Sequence, residues 1–367
     1  MINDDTFTKR LQFPINPINS GKFKFRIKRR VKPNVDVEDN DTIQIGPDEK
    51  HDDIQIAAES IDQGEDIQKV PGTSIKDKDD EIVKFAGGTM DYLAKLNSHP
   101  RDENIVFLEG PHEYIVHGVA GKYTSVTTFN HGMFSHFDAK GIASKILKNP
   151  KWKKDPEYKY YQKTLHEILK MWDDNRDIAS SAGTAMHLNI EQYYNGIEVE
   201  NNSIEFQYFK EFLRDYPNLE PYRTEWCVFY EEPVYLSGSI DMVFRDKETG
   251  EFFIYDWKRS KDIEYESAYK KTSCVSCISD IPDTNFWHYS LQLNTYRHIL
   301  ESKYNMIISG MFLIVLHPDN QYSTYDRIEV HDMRNRMESI FEYRAKQVSA
   351  QNEALIVNSS NDIAGLK

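Results

Sequence analysis

Cysteine is scarce. The 367 residues hold three, Cys227, Cys274 and Cys277, too few for a disulfide framework in a chain this long, so a reducing, intracellular compartment is expected. No run approaches the ~18 apolar residues of a membrane span, so no membrane partner is expected. Met1-Ile-Asn-Asp-Asp lacks the basic start and apolar stretch of a secretory signal. A Gly-rich phosphate loop is also missing, since Gly183-Thr-Ala-Met-His187 is not one, and this counts against a magnesium-dependent phosphotransferase. Net positive charge is absent as well: the chain carries −14, which at first sight argues against a nucleic-acid partner.

The distribution of that charge weakens the objection. Residues 1–32 hold 9 basic and 2 acidic side chains, and residues 33–82 hold 4 basic and 16 acidic ones. Residues 1–82 therefore read as a disordered tail, basic over 22–32 and acidic over 33–82, with little to form a core. The basic run can touch DNA, serve as a nuclear targeting patch, or be a solvated arm. Order is expected from near Glu81. Residues 83–182 read as a helix-rich portion packed on a core at 183–350, with a C-terminal tail at 351–367. In the first portion, helices are expected over Ile82–Leu96, 137–147, 157–173 and 176–195, the last two separated by Asp173-Asp174-Asn175. A hairpin is expected around Gly110-Pro111, and a helix start at Ser125. Alternating strands follow over 224–230, 234–244 and 251–258, the latter two joined by a turn at 245–250. A helix over 285–304, strands over 306–316 and 322–330, and a helix from His331 to about Gln347 complete the reading.

Chemistry concentrates in the hairpin. Gly238-Ser-Ile-Asp241 and Tyr255-Asp256-Trp257-Lys258 supply two carboxylates and a lysine. Residues i and i+2 of a strand share a face, so Asp256 and Lys258 project together, and pairing of the strands can bring Asp241 beside Asp256. Two carboxylates held close suit a hard divalent cation such as Mg²⁺ or Mn²⁺. Such a cation polarises a phosphodiester oxygen and lowers the pKa of a bound water. A neighbouring ammonium can orient that water or stabilise negative charge in the transition state. A solvated Asp-x-Lys on a surface strand is the plainer alternative, but Ile254, Tyr255 and Trp257 make this strand read as buried. His187 and Glu191 lie four apart on one helix face, and imidazole is a good ligand for Mn²⁺. Small residues around them (Ser180, Ser181, Ala182, Gly183, Ala185) allow close approach of a sheet or a substrate backbone. Gln292 and Tyr296 share a face of a later helix and can hydrogen-bond a phosphate or stack on a base.

Taken in order, G-x-x-x-H (Gly183–His187), G-x-I-D (Gly238–Asp241), D-W-K (Asp256–Lys258) and Q-x-x-x-Y (Gln292–Tyr296) resemble the PD-(D/E)XK nuclease superfamily. The resemblance is to its RecB-like branch, which includes the mitochondrial genome maintenance exonuclease and relatives from large DNA viruses. It spans about residues 183–296. Tyr123-Thr-Ser-Val-Thr-Thr128 with Phe137-Asp138 also resembles the segment upstream of the first motif in mitochondrial-type and viral members, which would place the protein in an infected host cell if its origin is viral. The resemblance implies an α/β fold with a restriction-endonuclease-like core: a central mixed β-sheet flanked by helices, and a helix-rich N-terminal portion over the active site. It implies His187, Asp241, Asp256 and the Trp257 backbone carbonyl as metal ligands, and Lys258 as the catalytic lysine with Asp241 and Asp256. Gln292 and Tyr296, with Ser125 as a further candidate, would contact DNA. Glu191 is a candidate partner of His187, and Glu225 could approach the metal.

The implied activity is a Mg²⁺- or Mn²⁺-dependent deoxyribonuclease, an exonuclease on single-stranded or end-bearing DNA in replication, recombination or repair. A structure-specific endonuclease and a catalytically decayed DNA-binding protein of the same fold are the alternatives. Two departures stand out. Ile240 takes the slot where the motif's proline would precede the Asp. The three cysteines do not match the four that iron–sulfur members carry, so no cluster is expected, nor a zinc site from Cys274, Cys277 and His288.

Overall fold

The computed structural model describes residues 88–267 and 269–364, with side chains to 354. The expected tail at 1–82 lies outside the described residues, as does the start of the helix expected over Ile82–Leu96; of its described part only Tyr92–Leu96 is helical, as α1, and residues 88–91 lead into it as a turn. The fold is α/β: a mixed six-stranded sheet with helices on both faces.

Before the sheet comes the expected hairpin, β1 (Ile105–Leu108) against β2 (Glu113–Val116). A two-residue strand β3 (Thr124–Ser125) follows and leads straight into α2 (Val126–His131). Ser125 starts that helix as the sequence suggests, its hydroxyl accepting from the Thr128 N–H at 3.0 Å. After α3 (Ala139–Lys148) and the short α4 (Lys151–Lys154) comes α5 (Leu165–Tyr194), and here the structure corrects the sequence reading. The two helices expected on either side of Asp173-Asp174-Asn175 are one helix of 30 residues. Its start carries a capping box from Thr164 and Glu167. The acidic cluster does not break it, because Asp174 pairs with Lys170 and Asp173 with Arg176 along the helix surface. Residue 183, where the core was expected to begin, lies inside this helix.

Next come α6 (Ile204–Asp215) and three antiparallel strands, β4 (Leu219–Tyr230), β5 (Leu236–Asp246) and β6 (Phe252–Lys258). A turn after Asp246 joins the last two. Its carboxylate accepts from the N–H groups of Glu248 and Thr249, and Gly250 takes the positive φ of 74° that closes it. From β6 the chain crosses through α7 (Asn285–Lys303) to β7 (Ile308–Val315), which runs parallel to β6, and then to β8 (Asp326–Glu329). The final helix, α8, runs from Arg334 to Ala364, well past the end expected near Gln347. No glycine or proline interrupts its sequence.

The strands feed two cores, the alternation on β5 changing phase between Ile240 and Met242. On one face Trp226, Ile240, Ile254 and Leu313 pack with Leu293, Tyr296 and Ile299 of α7 and Ile340 of α8. On the other, Met242, Phe244, Tyr255 and Trp257 pack with Met186, Ile190 and Tyr194 of α5 and Phe209 and Phe212 of α6. Burying side chains of this size stabilises the fold by about 1.5–3 kcal/mol each. A third, small core stands apart: Ala143 and Ile146 of α3, Tyr160, and Ile168 near the start of α5.

No described helix is long and apolar enough to cross a membrane.

Candidate active site

A gap in the sheet positions the site. Strand β5 is paired along its whole length with β4 on one edge. Its other edge carries two partners. Residues Leu236 and Ser237 pair with β3, and residues from Met242 onward pair with β6. Between them, Gly238–Asp241 have no strand neighbour on that edge. Tyr296 of α7 fills part of the gap: a Cβ on Gly238 would sit 2.7 Å from the Tyr296 hydroxyl. Glycine at 238 is thus needed for close approach of the helix.

Asp241 stands where β5 and β6 part. The ladder stops at Met242↔Tyr255, and the Asp241 carboxylate spans the fork by accepting from the Trp257 N–H at 2.9 Å. Trp257 thus meets the site through its N–H, while its ring is buried in the second core. Across the other ladder, Thr224↔Met242 and Trp226↔Ile240 flank Glu225, which therefore lies opposite Asp241. Glu225 adopts φ 41°, a left-handed conformation in mid-strand that costs a non-glycine residue about 1–3 kcal/mol. Ser239 donates to its carboxylate at 2.8 Å. From α5, His187 Nδ1 reaches within 3.5 Å of Asp241 Oδ2 and 3.8 Å of Glu225 Oε1. Ligand atoms of His187, Glu225 and Asp241 all lie within 4.8 Å of one another. On β6, Asp256 and Lys258 project together as the i, i+2 spacing requires, with Lys258 Nζ 2.8 Å from Asp256 Oδ2. The ammonium also lies 4.5 Å from the centre of the Tyr289 ring.

Electrostatically the site is short of positive charge. The Asp256 side chain is 3% exposed. Burial and the adjacent Asp241 charge raise its pKa to about 6, against the opposing pull of Lys258. Asp241 is raised by burial and by Glu225, in spite of His187. Glu191, one turn beyond His187, is pushed to about 7 by burial and by Glu225. Burial pulls the His187 imidazole down, but Asp241 and Glu225 more than reverse this and hold it near 9. Crowded carboxylates that resist ionisation are what a divalent cation relieves, and three converging oxygen and nitrogen donors suit Mg²⁺ or Mn²⁺. The residues fit such an ion.

The structure thus draws together His187, Asp241, Asp256 and Lys258; the further candidate Glu225 stands in the ligand-type cluster with His187 and Asp241, while Asp256 is turned to Lys258. Glu191 sits beside Glu225 and His187. Tyr296 is 3% exposed, so its ring offers no face for stacking on a base; its hydroxyl is hydrogen-bonded to Gln292, which remains half-buried. Gly183 has nothing within 4 Å of where a Cβ would be, so close packing against the sheet is not what calls for a small residue there. Ser125 forms its cap at the strand that bounds the gap. The thiols stand elsewhere: Cys227 is half-buried in β4, where burial pushes its pKa to about 12, and His288 hydrogen-bonds Asp283 at 3.0 Å.

The sequence reading missed one feature. His288 lies one turn before Gln292 on α7, and its ring is 5.5 Å from that of His131 at the end of α2. Burial, then His288 and Lys258, push His131 down to about 4. The i, i+4 spacing of His288 and Gln292 was the available signal; the partner from α2 was not visible in the sequence.

No protein-family model matches the chain, and a search of the curated proteins finds no match.

Proposed function

We propose that this chain is a metal-dependent DNA nuclease of the PD-(D/E)XK type, RecB-like, with a restriction-endonuclease-like core. In this reading it acts as an exonuclease on single-stranded or end-bearing DNA in replication, recombination or repair. One observation carries the proposal: Asp241, Asp256 and Lys258 meet at the fork between β5 and β6, beside His187 and Glu225. A protein that had lost catalysis would not be expected to keep a buried, destabilising set of carboxylates around a lysine.

His187, Glu225 and Asp241 would hold the ion, with Asp256 beside them. When bound, Mg²⁺ or Mn²⁺ supplies Lewis-acid polarisation of a phosphoryl oxygen and acidification of water. The chain's own groups do the rest. Lys258, set by Asp256 and the Tyr289 ring, orients the attacking water or stabilises charge developing on the phosphate. Gln292, fixed by the buried Tyr296 hydroxyl, offers its amide to a phosphate oxygen. Asp241 Oδ2, the oxygen that faces His187, is held in place by the Trp257 N–H.

The test is a time course on end-labelled single-stranded, duplex and circular DNA with Mg²⁺, Mn²⁺ or EDTA. Metal-dependent loss of linear DNA that spares circles is expected, and Lys258→Ala should abolish it while DNA binding stays near normal. Cutting of circles would indicate an endonuclease. Binding without any cleavage, or an unchanged rate in the lysine variant, would overturn the assignment.

A further inference from the structure

The chain is acidic, yet one surface is strongly basic. Residues 139–163, comprising α3, α4 and the segment leading to α5, hold eight lysines and two carboxylates, Asp155 and Glu157. Seven of the lysines are exposed: Lys140, Lys145, Lys148, Lys151, Lys153, Lys154 and Lys159. None forms an ion pair among the described residues; Lys153 and Lys159 rest on the rings of Trp152 and Tyr160. A local charge of +6 within a chain of −14 costs self-repulsion, and nothing in the lobe's own small core needs it.

Its position gives it direction. The lobe packs on the first part of α5 through Ile168 and Trp172. His187 lies fifteen residues further along the same helix, about 22 Å at 1.5 Å per residue. Between them α5 is mostly uncovered: Asp173, Asp174, Asn175, Asp177, Ile178, Ser181, Thr184 and Ala185 are exposed. At the near end of this stretch Phe137 is 41% exposed, its ring 6.0 Å from that of Trp172. It is an open ring of the kind on which bases stack.

We infer that the lysines of residues 139–163 bind the phosphate backbone of a nucleic-acid strand and lead it along α5 to the fork at Asp241. This rests on the nuclease reading for the identity of its destination. At 3.4 Å per phosphate, about 22 Å corresponds to roughly six phosphates of a stacked strand.

The test uses the full-length chain, a fluorescein-labelled oligothymidylate of about 30 nucleotides, and EDTA to prevent cleavage. Affinity is measured across roughly 50 to 300 mM salt. Lys145, Lys148, Lys151 and Lys154 are replaced together by Gln. A control of equal charge change replaces Lys95, Lys210, Lys247 and Lys346. Four lost phosphate contacts should make the slope of log affinity against log salt shallower by about 3, at ~0.7 per contact. The control should keep the wild-type slope. An unchanged slope in the lobe variant overturns the inference even if the wild type cleaves DNA. A shallower slope in a protein that cleaves nothing upholds the surface while the nuclease reading falls. Lysine-dependent binding of phosphatidylserine vesicles with no lysine dependence on the oligonucleotide would also overturn it, in favour of a membrane surface.

Discussion

Asp256→Asn should make the metal-free protein more stable while disabling it. The Asp256 carboxylate is buried beside Asp241, and its pKa stands at about 6 against 3.8 for a free aspartate. At 1.36 kcal/mol per unit this is roughly 3 kcal/mol of strain in the ionised folded state. The folded value lies above the unfolded one, so the group favours the folded state below about pH 4, and that contribution is lost as pH rises through about 6. Wild type therefore loses roughly 3 kcal/mol across that window, and the Asn variant does not. Asn keeps an oxygen for Lys258 but forgoes the charge attraction, so the net gain at pH 7.5 should be about 1–3 kcal/mol. With about 2–4 °C of Tm per kcal/mol for a domain of this order, the variant should melt roughly 3–10 °C higher in EDTA. The difference should shrink toward zero by pH 4.5. Mn²⁺ at about 100 times its Kd should add about 2.7 kcal/mol to wild type. Thermal unfolding by circular dichroism across this pH range, with and without metal, makes the measurement. A variant that melts lower than wild type at pH 7.5 in EDTA, or a gap that persists unchanged at pH 4.5, would refute the reasoning.

Further outcomes follow from the same geometry. Gly238→Ala should cost about 1–3 kcal/mol, because its Cβ would meet the Tyr296 hydroxyl at 2.7 Å and Cε1 at 2.8 Å; urea unfolding reads the loss, and cleavage should fall as Gln292 is displaced. Glu225→Gln should weaken Mn²⁺ binding in calorimetry at least roughly tenfold with little change in melting temperature; unchanged affinity would remove Glu225 from the site. His131 is held neutral with its pKa near 4, below the unfolded 6.5, so wild type should lose about 2–3 kcal/mol as pH falls from about 6.5 to 4. His131→Gln should lack that loss, and parallel pH–stability curves for the two proteins would contradict the shift.

Much of the fold could be read from local pattern. Period-two alternation marked β4, β5 and β6, and Asp246 to Gly250 marked the turn between them, because side-chain direction and turn conformation depend on a few adjacent residues. The joint projection of Asp256 and Lys258 was legible for the same reason. Helix length was less so. The run Asp173-Asp174-Asn175 has the composition of a break, but surface ion pairs carry α5 through it, and such pairs need the helix already formed. The long continuation of α8 likewise escaped a reading based on apolar periodicity.

The site divides along the same line. From sequence alone came the donor types, Asp241, Asp256, Lys258 and His187, and which of them share a face within one element. Tertiary structure alone made the gap on β5, since it requires Thr124–Ser125 to pair in parallel with Leu236–Ser237, more than a hundred residues away. It also set Glu225 across from Asp241, buried the Tyr296 ring, and brought His131 beside His288. Strand neighbours are chosen by burial summed over the whole sheet, so no short window of sequence contains them. Residue chemistry is local and written in the chain; proximity between distant elements exists only once the two cores have formed.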